Sequence, residues 1–543
     1  MKDLMFASFF RHYLPWLLIG GLLPFTFAPF DQVWLPYPLF ALAFCMLPTL
    51  ARRNLRQFAL AGWCLGFGFF TVGVSWVYFS IHDYGNASPT LAGGLTLLFT
   101  ALLSLFFVLQ FLLLGLSFRY GGLSRLAARR QVLFGGLLFA AVWVLFEWVR
   151  AWLLSGFPWL LLGEALPASS TGGWMSGWAP VAGVYACSLL ILLMALALGL
   201  VINRLLERIR NTAESPPAPD STGLPSWPDY TFAVLVLALV LGGYGLSSVQ
   251  WTSANGPVLS AALVQPNIAQ ALKWKSSEQD RIVRTYIDMT TPIWDADIIL
   301  WPETALPLYQ HQAVNLLKQL GQRADSEQAA FFTGILTVSE SDAGEIQVHN
   351  SFIGLGKASG QYDKQRLVPF GEYVPMQSIL RGLIDFFNLP MSDMRPGRTE
   401  QAPLTMQLNS SGETYTVAAL ICYEVVYPDF VASQAADVDL MITVSNDTWF
   451  GRSIGPLQHL QIARMRALEQ QKPILRGTNN GVTAIIGADG IIQDRLAQFE
   501  SGVLRGEVQP RQGATPFART GSMPILLLCG LLIVGVVLQA RRA

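Results

Sequence analysis

Val417-Ala418-Ala419-Leu420-Ile421 runs straight into Cys422-Tyr423-Glu424. An apolar run of this length reads as a buried β-strand, and the thiol stands at its exit. Cys422 is the only cysteine in the polar stretch from about 250 to 520; Cys45, Cys64, Cys187 and Cys529 lie in very hydrophobic segments. A lone thiol cannot form a disulfide within its own domain. It is a nucleophile if a neighbour takes its proton, and otherwise a small buried apolar residue.

Working outward, the same region alternates strand and helix. Strands are expected over Ser260–Gln265, Ala296–Trp301, Ala330–Val338, Thr414–Ile421 and Leu440–Val444. Helices are expected over Ser276–Met289, His311–Arg323 and Pro456–Gln471. Asn350–Leu355 with Gly360–Lys364, and Gly481–Ile486 with Ile491–Arg495, read as hairpins. Strands followed by helices imply a sheet covered on its faces, with chemistry at the strand ends.

Two further motifs stand at such ends. Trp301-Pro302-Glu303 follows Ile298-Ile299-Leu300, so a carboxylate sits just past a buried strand as a candidate general base. Lys364 closes a hairpin strand and opens Lys364-Gln365-Arg366-Leu367-Val368-Pro369-Phe370-Gly371-Glu372. An ammonium there can face a developing oxyanion, and Glu372 can orient that lysine or an incoming amine. Each motif alone also reads as an exposed loop acid or a solvated charge cluster. A Cys–His arrangement competes, since His311, His349 and His459 share the region. The reading for each histidine is structural, with His459 kept as a supporting residue.

The chain has 543 residues, of which 52% are hydrophobic and 13% charged, and its mean hydropathy is +0.41. Soluble proteins carry about 25% charged residues, so much of this chain belongs in lipid. About eight spans are expected, near 12–29, 33–50, 57–80, 91–118, 132–154, 179–203, 231–249 and 521–539, the first two short and Pro-rich. No signal-peptide cleavage site stands out at the N-terminus. Basic residues mark alternate ends: Lys2 and Arg11; Arg52, Arg53 and Arg56; Arg119, Arg125, Arg129 and Arg130; Arg204, Arg208 and Arg210; Arg541 and Arg542. Loops rich in Lys and Arg face the cytoplasm. Both termini are therefore expected inside, and the region between spans seven and eight outside, in the periplasm of a two-membrane bacterium. The expected domains are a membrane domain over 1–250 with a linker near 211–230, a catalytic domain over 251–517, and a last span with its tail over 518–543. Lys+Arg and Asp+Glu balance at 36 each, which points to no nucleic acid. No cluster has metal-ligand spacing and no Gly-rich phosphate loop occurs, so neither metal nor cofactor is expected.

The order Glu303, Lys364, Cys422 resembles the nitrilase, or carbon–nitrogen hydrolase, superfamily. That resemblance implies an αββα sandwich, with the glutamate as base, the lysine stabilising the tetrahedral intermediate and the cysteine forming a thioester. Joined to about eight spans, the chain closely resembles the apolipoprotein N-acyltransferase family. Further matching pieces are Gln265-Pro266-Asn267-Ile268, Lys273-Trp274, Ser445-Asn446-Asp447-Thr448-Trp449-Phe450-Gly451 and Arg476-Gly477-Thr478-Asn479-Asn480-Gly481. The family pattern implies Glu303, Lys364 and Cys422 as catalytic residues, and Trp274, Glu372, Tyr423 and Glu424 as supporting or substrate-binding ones. It implies a phospholipid acyl donor and a diacylglyceryl apolipoprotein acceptor at the inner membrane.

Three expectations complete the reading. The apolar segment Met376–Leu389, with Phe386 and Phe387, forms an arm toward the bilayer. Glu147 and Arg150 share one helix face and form a structural pair, or Arg150 meets a phospholipid phosphate. The rivals are a membrane-tethered amidase or nitrilase acting on a small polar substrate, a transporter with a cargo-binding domain, and a scaffold.

Overall fold

The computed structural model describes residues 2–85, 87–168, 176–214, 227–341, 344–374, 393–408 and 413–542. The expected arm at Met376–Leu389 and most of the linker near 211–230 lie outside them. The chain forms two compact units, one of Met1–Tyr78, Pro89–Val249 and Ser522–Ala543, the other of Phe79–Ser88 and Gln250–Gly521.

In the first unit, six helices among the described residues are long and apolar enough to cross a bilayer. They are Leu55–Gly73, Pro89–Tyr120, Ala128–Arg150, Ala179–Ile209, Tyr230–Ser247 and Met523–Arg542. The count of about eight is thus not reached. The expected span at 33–50 is the helix Pro36–Ala51, whose 16 residues reach about 24 Å, short of a bilayer core of about 30 Å. The span expected at 12–29 falls on helix Lys2–Leu22, with Pro15 inside it, and on the 3-10 turn Leu23–Thr26.

The second unit contains two large sheets, besides the two-stranded pair Ser253–Ala254 with Arg511–Gln512. One has six strands in the order Gly502–Val508, Leu259–Gln265, Ile298–Leu300, Ala330–Glu340, Ile346–Gly356, Gln361–Asp363. The other has seven: Ile492–Arg495, Ala484–Ile486, Ile474–Thr478, Leu440–Ser445, Thr414–Ile421, Leu404–Gln407, Ala358–Ser359. Side chains alternate across a strand, so each strand serves two layers. Ala261 and Leu263 join Ile298, Leu300, Val417, Ala419, Ile421, Ile442 and Leu475 in the core between the sheets. Ala262 and Val264 point the other way and pack with Ile282, Tyr286, Leu317 and Leu320 from the helices Gln279–Thr290 and Val314–Ser326. The second sheet carries Pro428–Ala435 and the largely buried Gly455–Gln470.

Each sheet has a parallel centre. Leu259–Gln265, Ile298–Leu300 and Ala330–Glu340 run parallel in the first. Thr414–Ile421, Leu440–Ser445 and Ile474–Thr478 do so in the second. Their exits are stitched together: Asn267 N donates to Asn479 O at 2.9 Å, and Ile268 N to Asn479 Oδ1 at 3.0 Å. Gly477 suits this close approach, because a Cβ would stand 3.0 Å from Leu300 Cδ2 of the facing sheet and the leucine would have to give way. The expected hairpin after Asn350 holds in part. Gln361–Asp363 pairs antiparallel with Ile346–Gly356, but Ala358–Ser359 pairs with Leu404–Gln407, so the turn between them crosses to the other sheet.

Candidate active site

Cys422 leaves its strand with φ +54, a left-handed backbone uncommon outside glycine. The turn Cys422–Val426 that it opens is held by the Glu424 carboxylate. Oε2 of Glu424 accepts from Ile421 N at 2.7 Å. Its Oε1 accepts from Tyr362 Oη at 2.8 Å, Gln365 N at 2.7 Å and Arg366 N at 3.1 Å. Glu424 therefore ties the Cys422 turn to the chain just past Lys364. Burial pushes its pKa up to about 7, against the opposing pull of backbone N–H groups and Lys364. Tyr423 is buried with its ring edge-on to Tyr427, centroids 5.3 Å apart.

Lys364 is 1% exposed. Its backbone N donates to Asn350 O at 2.9 Å, which fixes the strand end. Its Nζ donates to Glu372 Oε1 at 2.7 Å and lies 3.6 Å from Glu303 Oε1. Burial alone would lower this pKa; Glu372, Glu303 and Cys422 outweigh it and hold the ammonium above its usual range. Glu372 is fastened by Val368 N at 2.8 Å on its other oxygen.

Glu303 is held from two elements. Oε1 accepts from Asn350 Nδ2 at 2.7 Å, and Oε2 from Asn446 N at 2.7 Å. The Asn350 amide also donates to Glu372 Oε1 at 3.1 Å, so it bridges both carboxylates. Behind Glu303, Lys273 is 2% exposed. Its Nζ donates to Glu303 O at 3.2 Å and Thr304 Oγ1 at 2.8 Å. Burial pushes Lys273 down to about 8, with Glu303 pulling the other way. Thr304 has φ +43, and Gly334 backs it so closely that a Cβ would come 2.4 Å from Thr304 N.

The thiol feels this whole cluster. Burial raises the Cys422 pKa, the Glu303 charge raises it further, and Lys364 opposes both. Cys422 therefore rests as a thiol.

Glu303, Lys364 and Glu372 thus form one buried, hydrogen-bonded cluster whose charges act on the part-buried Cys422, with Glu424 and Tyr423 in the turn that Cys422 opens. Trp274 follows the short helix Gln270–Lys273, and its indole N–H is buried without a hydrogen-bond partner among the described residues. His349 is occupied by Ser339 Oγ at 2.8 Å and Arg395 O at 2.9 Å. His459 lies closer to the chemistry, with Nε2 3.2 Å from the Cys422 carbonyl oxygen. Sequence reasoning missed Asn350 and Lys273. Asn350 sits among Gln347, His349 and Ser351 in its strand, so nothing local marked it, and Lys273 stood out only as the neighbour of Trp274, with no role given.

Two parallel-centred sheets with a glutamate, a lysine and a thiol at their exits define a carbon–nitrogen hydrolase-type domain, and the family model described as Carbon-nitrogen hydrolase matches residues 260–516. A second model, the Apolipoprotein N-acyltransferase N-terminal domain, matches residues 19–197. Three proteins named Apolipoprotein N-acyltransferase align along nearly the whole chain. That of Pseudomonas syringae pv. tomato is 42% identical, covering 97% of this chain and 96% of its own. That of Azotobacter vinelandii is 43% identical over 97% and 95%. That of Vibrio cholerae is 35% identical over 97% and 96%. The chain belongs to the apolipoprotein N-acyltransferase family.

Proposed function

We propose that this protein transfers an acyl chain from a membrane phospholipid, through a Cys422 thioester, to the α-amine of a diacylglyceryl-modified N-terminal cysteine on an apolipoprotein, the last step of lipoprotein maturation. The observation that carries the reading is the hydrogen-bonded set Lys364–Glu372–Asn350–Glu303 beside Cys422, whose thiol is pushed toward the protonated form by burial and the Glu303 charge. Such a thiol needs a base at the moment of attack, and Glu303 is that base. It takes the thiol proton while sulfur adds to the ester carbonyl. Lys364 stabilises the oxyanion, with Glu372 holding its ammonium in position. The tetrahedral adduct collapses, Glu303 returns the proton to the departing alkoxide, and a lysophospholipid leaves. The acceptor amine then attacks the thioester, Glu303 receives a proton from it, and the amide product departs as the thiol is restored. Trp274, Tyr423 and Glu424 serve substrate binding and support of the nucleophile turn.

The remaining features of the proposal follow from charge and length. The chain crosses the inner membrane about eight times, counting Pro36–Ala51 and the N-terminal helix. Both termini are cytoplasmic and the domain over 251–517 is periplasmic in this reading, which the Lys and Arg distribution supports. Residues 1–250 and 518–543 supply the membrane-embedded parts.

Purified protein given phospholipid and a diacylglyceryl peptide with a free N-terminal cysteine is the test. The expected product is N-acylated peptide plus lysophospholipid. Release of ammonia from small amides, with no peptide acylation, would assign the membrane-tethered amidase instead.

A further inference from the structure

Hydrogen-bond-distance contacts run in a ring from the sulfur of Cys422 back to its own carbonyl. Ser445 Oγ lies 3.4 Å from Cys422 Sγ and 2.5 Å from Asp447 Oδ1. His459 Nδ1 is 3.0 Å from that same oxygen, and His459 Nε2 is 3.2 Å from the Cys422 carbonyl oxygen. Arg476 Nη2 donates to Asp447 Oδ2 at 2.7 Å and lies 3.2 Å from His459 Nδ1. Ser445, Asp447, His459 and Arg476 are each 2% exposed or less. None of the four has a part in the chemistry derived above, yet one of them touches the reacting atom.

Proton accounting gives that contact a direction. A serine hydroxyl has one proton to donate and lone pairs to accept with. Burial would raise the Asp447 pKa, but Arg476 and His459 outweigh it and keep the carboxyl ionised. An ionised carboxylate at 2.5 Å takes the Ser445 proton in a charge-assisted bond. The Ser445 lone pair is then left for the thiol, which is protonated at rest and can donate to it. Once Glu303 has taken the thiol proton, the sulfur carries charge and has nothing to donate. The Ser445 O–H then turns from Asp447 to the sulfur, and Arg476 keeps Asp447 in place.

We propose that Ser445 is a further catalytic residue of the acyl transfer: its hydroxyl accepts from the Cys422 thiol at rest and donates to the thiolate, both when it forms and when the thioester later releases it. Asp447 is the positioning residue that holds this hydroxyl. The proposal rests on Cys422 being the nucleophile. It moves no covalent proton besides the one exchanged between Cys422 and Glu303, since the Ser445 O–H bond stays intact throughout. The charged groups acting on the sulfur are Glu303 and Asp447, which disfavour the thiolate, and Lys364, which favours it. A donating hydroxyl adds to the favourable side.

The test uses the full chain in detergent, with two readouts. The first is the pH dependence of iodoacetamide alkylation at Cys422, followed by peptide mass spectrometry. The second is the single-turnover rate of acylation by phospholipid. Ser445→Ala is expected to move the alkylation midpoint up by about one pH unit and to slow acylation about 10- to 100-fold. Ser445→Thr, which keeps a hydroxyl, should restore the wild-type midpoint. Ser445→Gly supplies the hydroxyl-free comparison if the Ala protein does not accumulate. A hydroxyl-free variant with the wild-type midpoint and acylation rate overturns the proposal. So does equal slowing in the Ala and Thr variants with an unmoved midpoint, which is what loss of packing alone would give. A wild-type protein that takes no acyl group from phospholipid defeats the acyl-transfer reading instead, while the alkylation midpoint still decides what Ser445 does.

Discussion

In the membrane-spanning unit, Glu147 accepts from Trp143 Nε1 at 2.9 Å and from Leu162 N at 2.8 Å. Arg150 donates to Trp159 O at 2.8 Å, its guanidinium 5.2 Å from the Phe70 ring. In the other unit, Lys364, Glu372, Asn350 and Glu303 bond chiefly to one another, and Glu303 and Lys364 act electrostatically on Cys422, the proposed nucleophile. Both groups are buried, at 8% exposure or less. The first spends its charges on the backbone that follows its own helix, and the result is a fixed segment. The second keeps its charges in mutual contact, so moving one proton changes the balance for all of them. Buried charge tied to backbone supports structure; buried charge tied to other titrating groups supports chemistry. Arg150 donates to Trp159 O and lies over the Phe70 ring, contacts that fit the structural reading of the pair.

Mutations can break or sharpen this contrast. Cys422→Ser should cut acyl-enzyme formation about 10⁴-fold or more, because an alkoxide forms far less readily than a thiolate; single-turnover acylation measures it. Lys364→Met should slow acylation about 10³-fold and lower stability by about 3 kcal/mol, since it leaves two buried carboxylates without their ammonium. Denaturant titration of the catalytic unit's fluorescence reads the second effect. Asn350→Ala should slow acylation about 10- to 100-fold, with phospholipid KM little changed if the amide orients Glu303 and Glu372 rather than binding lipid. Glu147→Gln should leave kcat and phospholipid KM near wild type, while stability falls by about 1–3 kcal/mol as the Leu162 N–H loses its charged acceptor. A Glu147→Gln protein of normal stability but failed acylation would erase the distinction between the two regions.

The layered fold was legible because its signal is local. Runs such as Ile298–Leu300 and Thr414–Ile421 announce buried strands, and Glu303 and Cys422 follow within three residues of their ends. Partners across the sandwich leave no such mark. Glu303 meets Asn446 N from 143 residues away, and nothing near Glu303 in the chain announces it. Asn350 looks like any polar residue in an alternating strand until two carboxylates are seen at its amide. Glu424 was expected at the site, but its work of tying the Cys422 turn to Gln365 and Arg366 depends on chain crossings that spacing does not encode. The helices of the first unit were read from hydropathy. Composition marks apolar stretches without fixing helix ends, so the short length of Pro36–Ala51 was not legible in it.

Intact-protein mass spectrometry after incubation with phospholipid alone probes the central claim most directly. The account predicts one added fatty acyl mass, mapped to Cys422 and discharged when a diacylglyceryl peptide amine is supplied. An unchanged mass, or an acyl group mapped to any other residue, would contradict it.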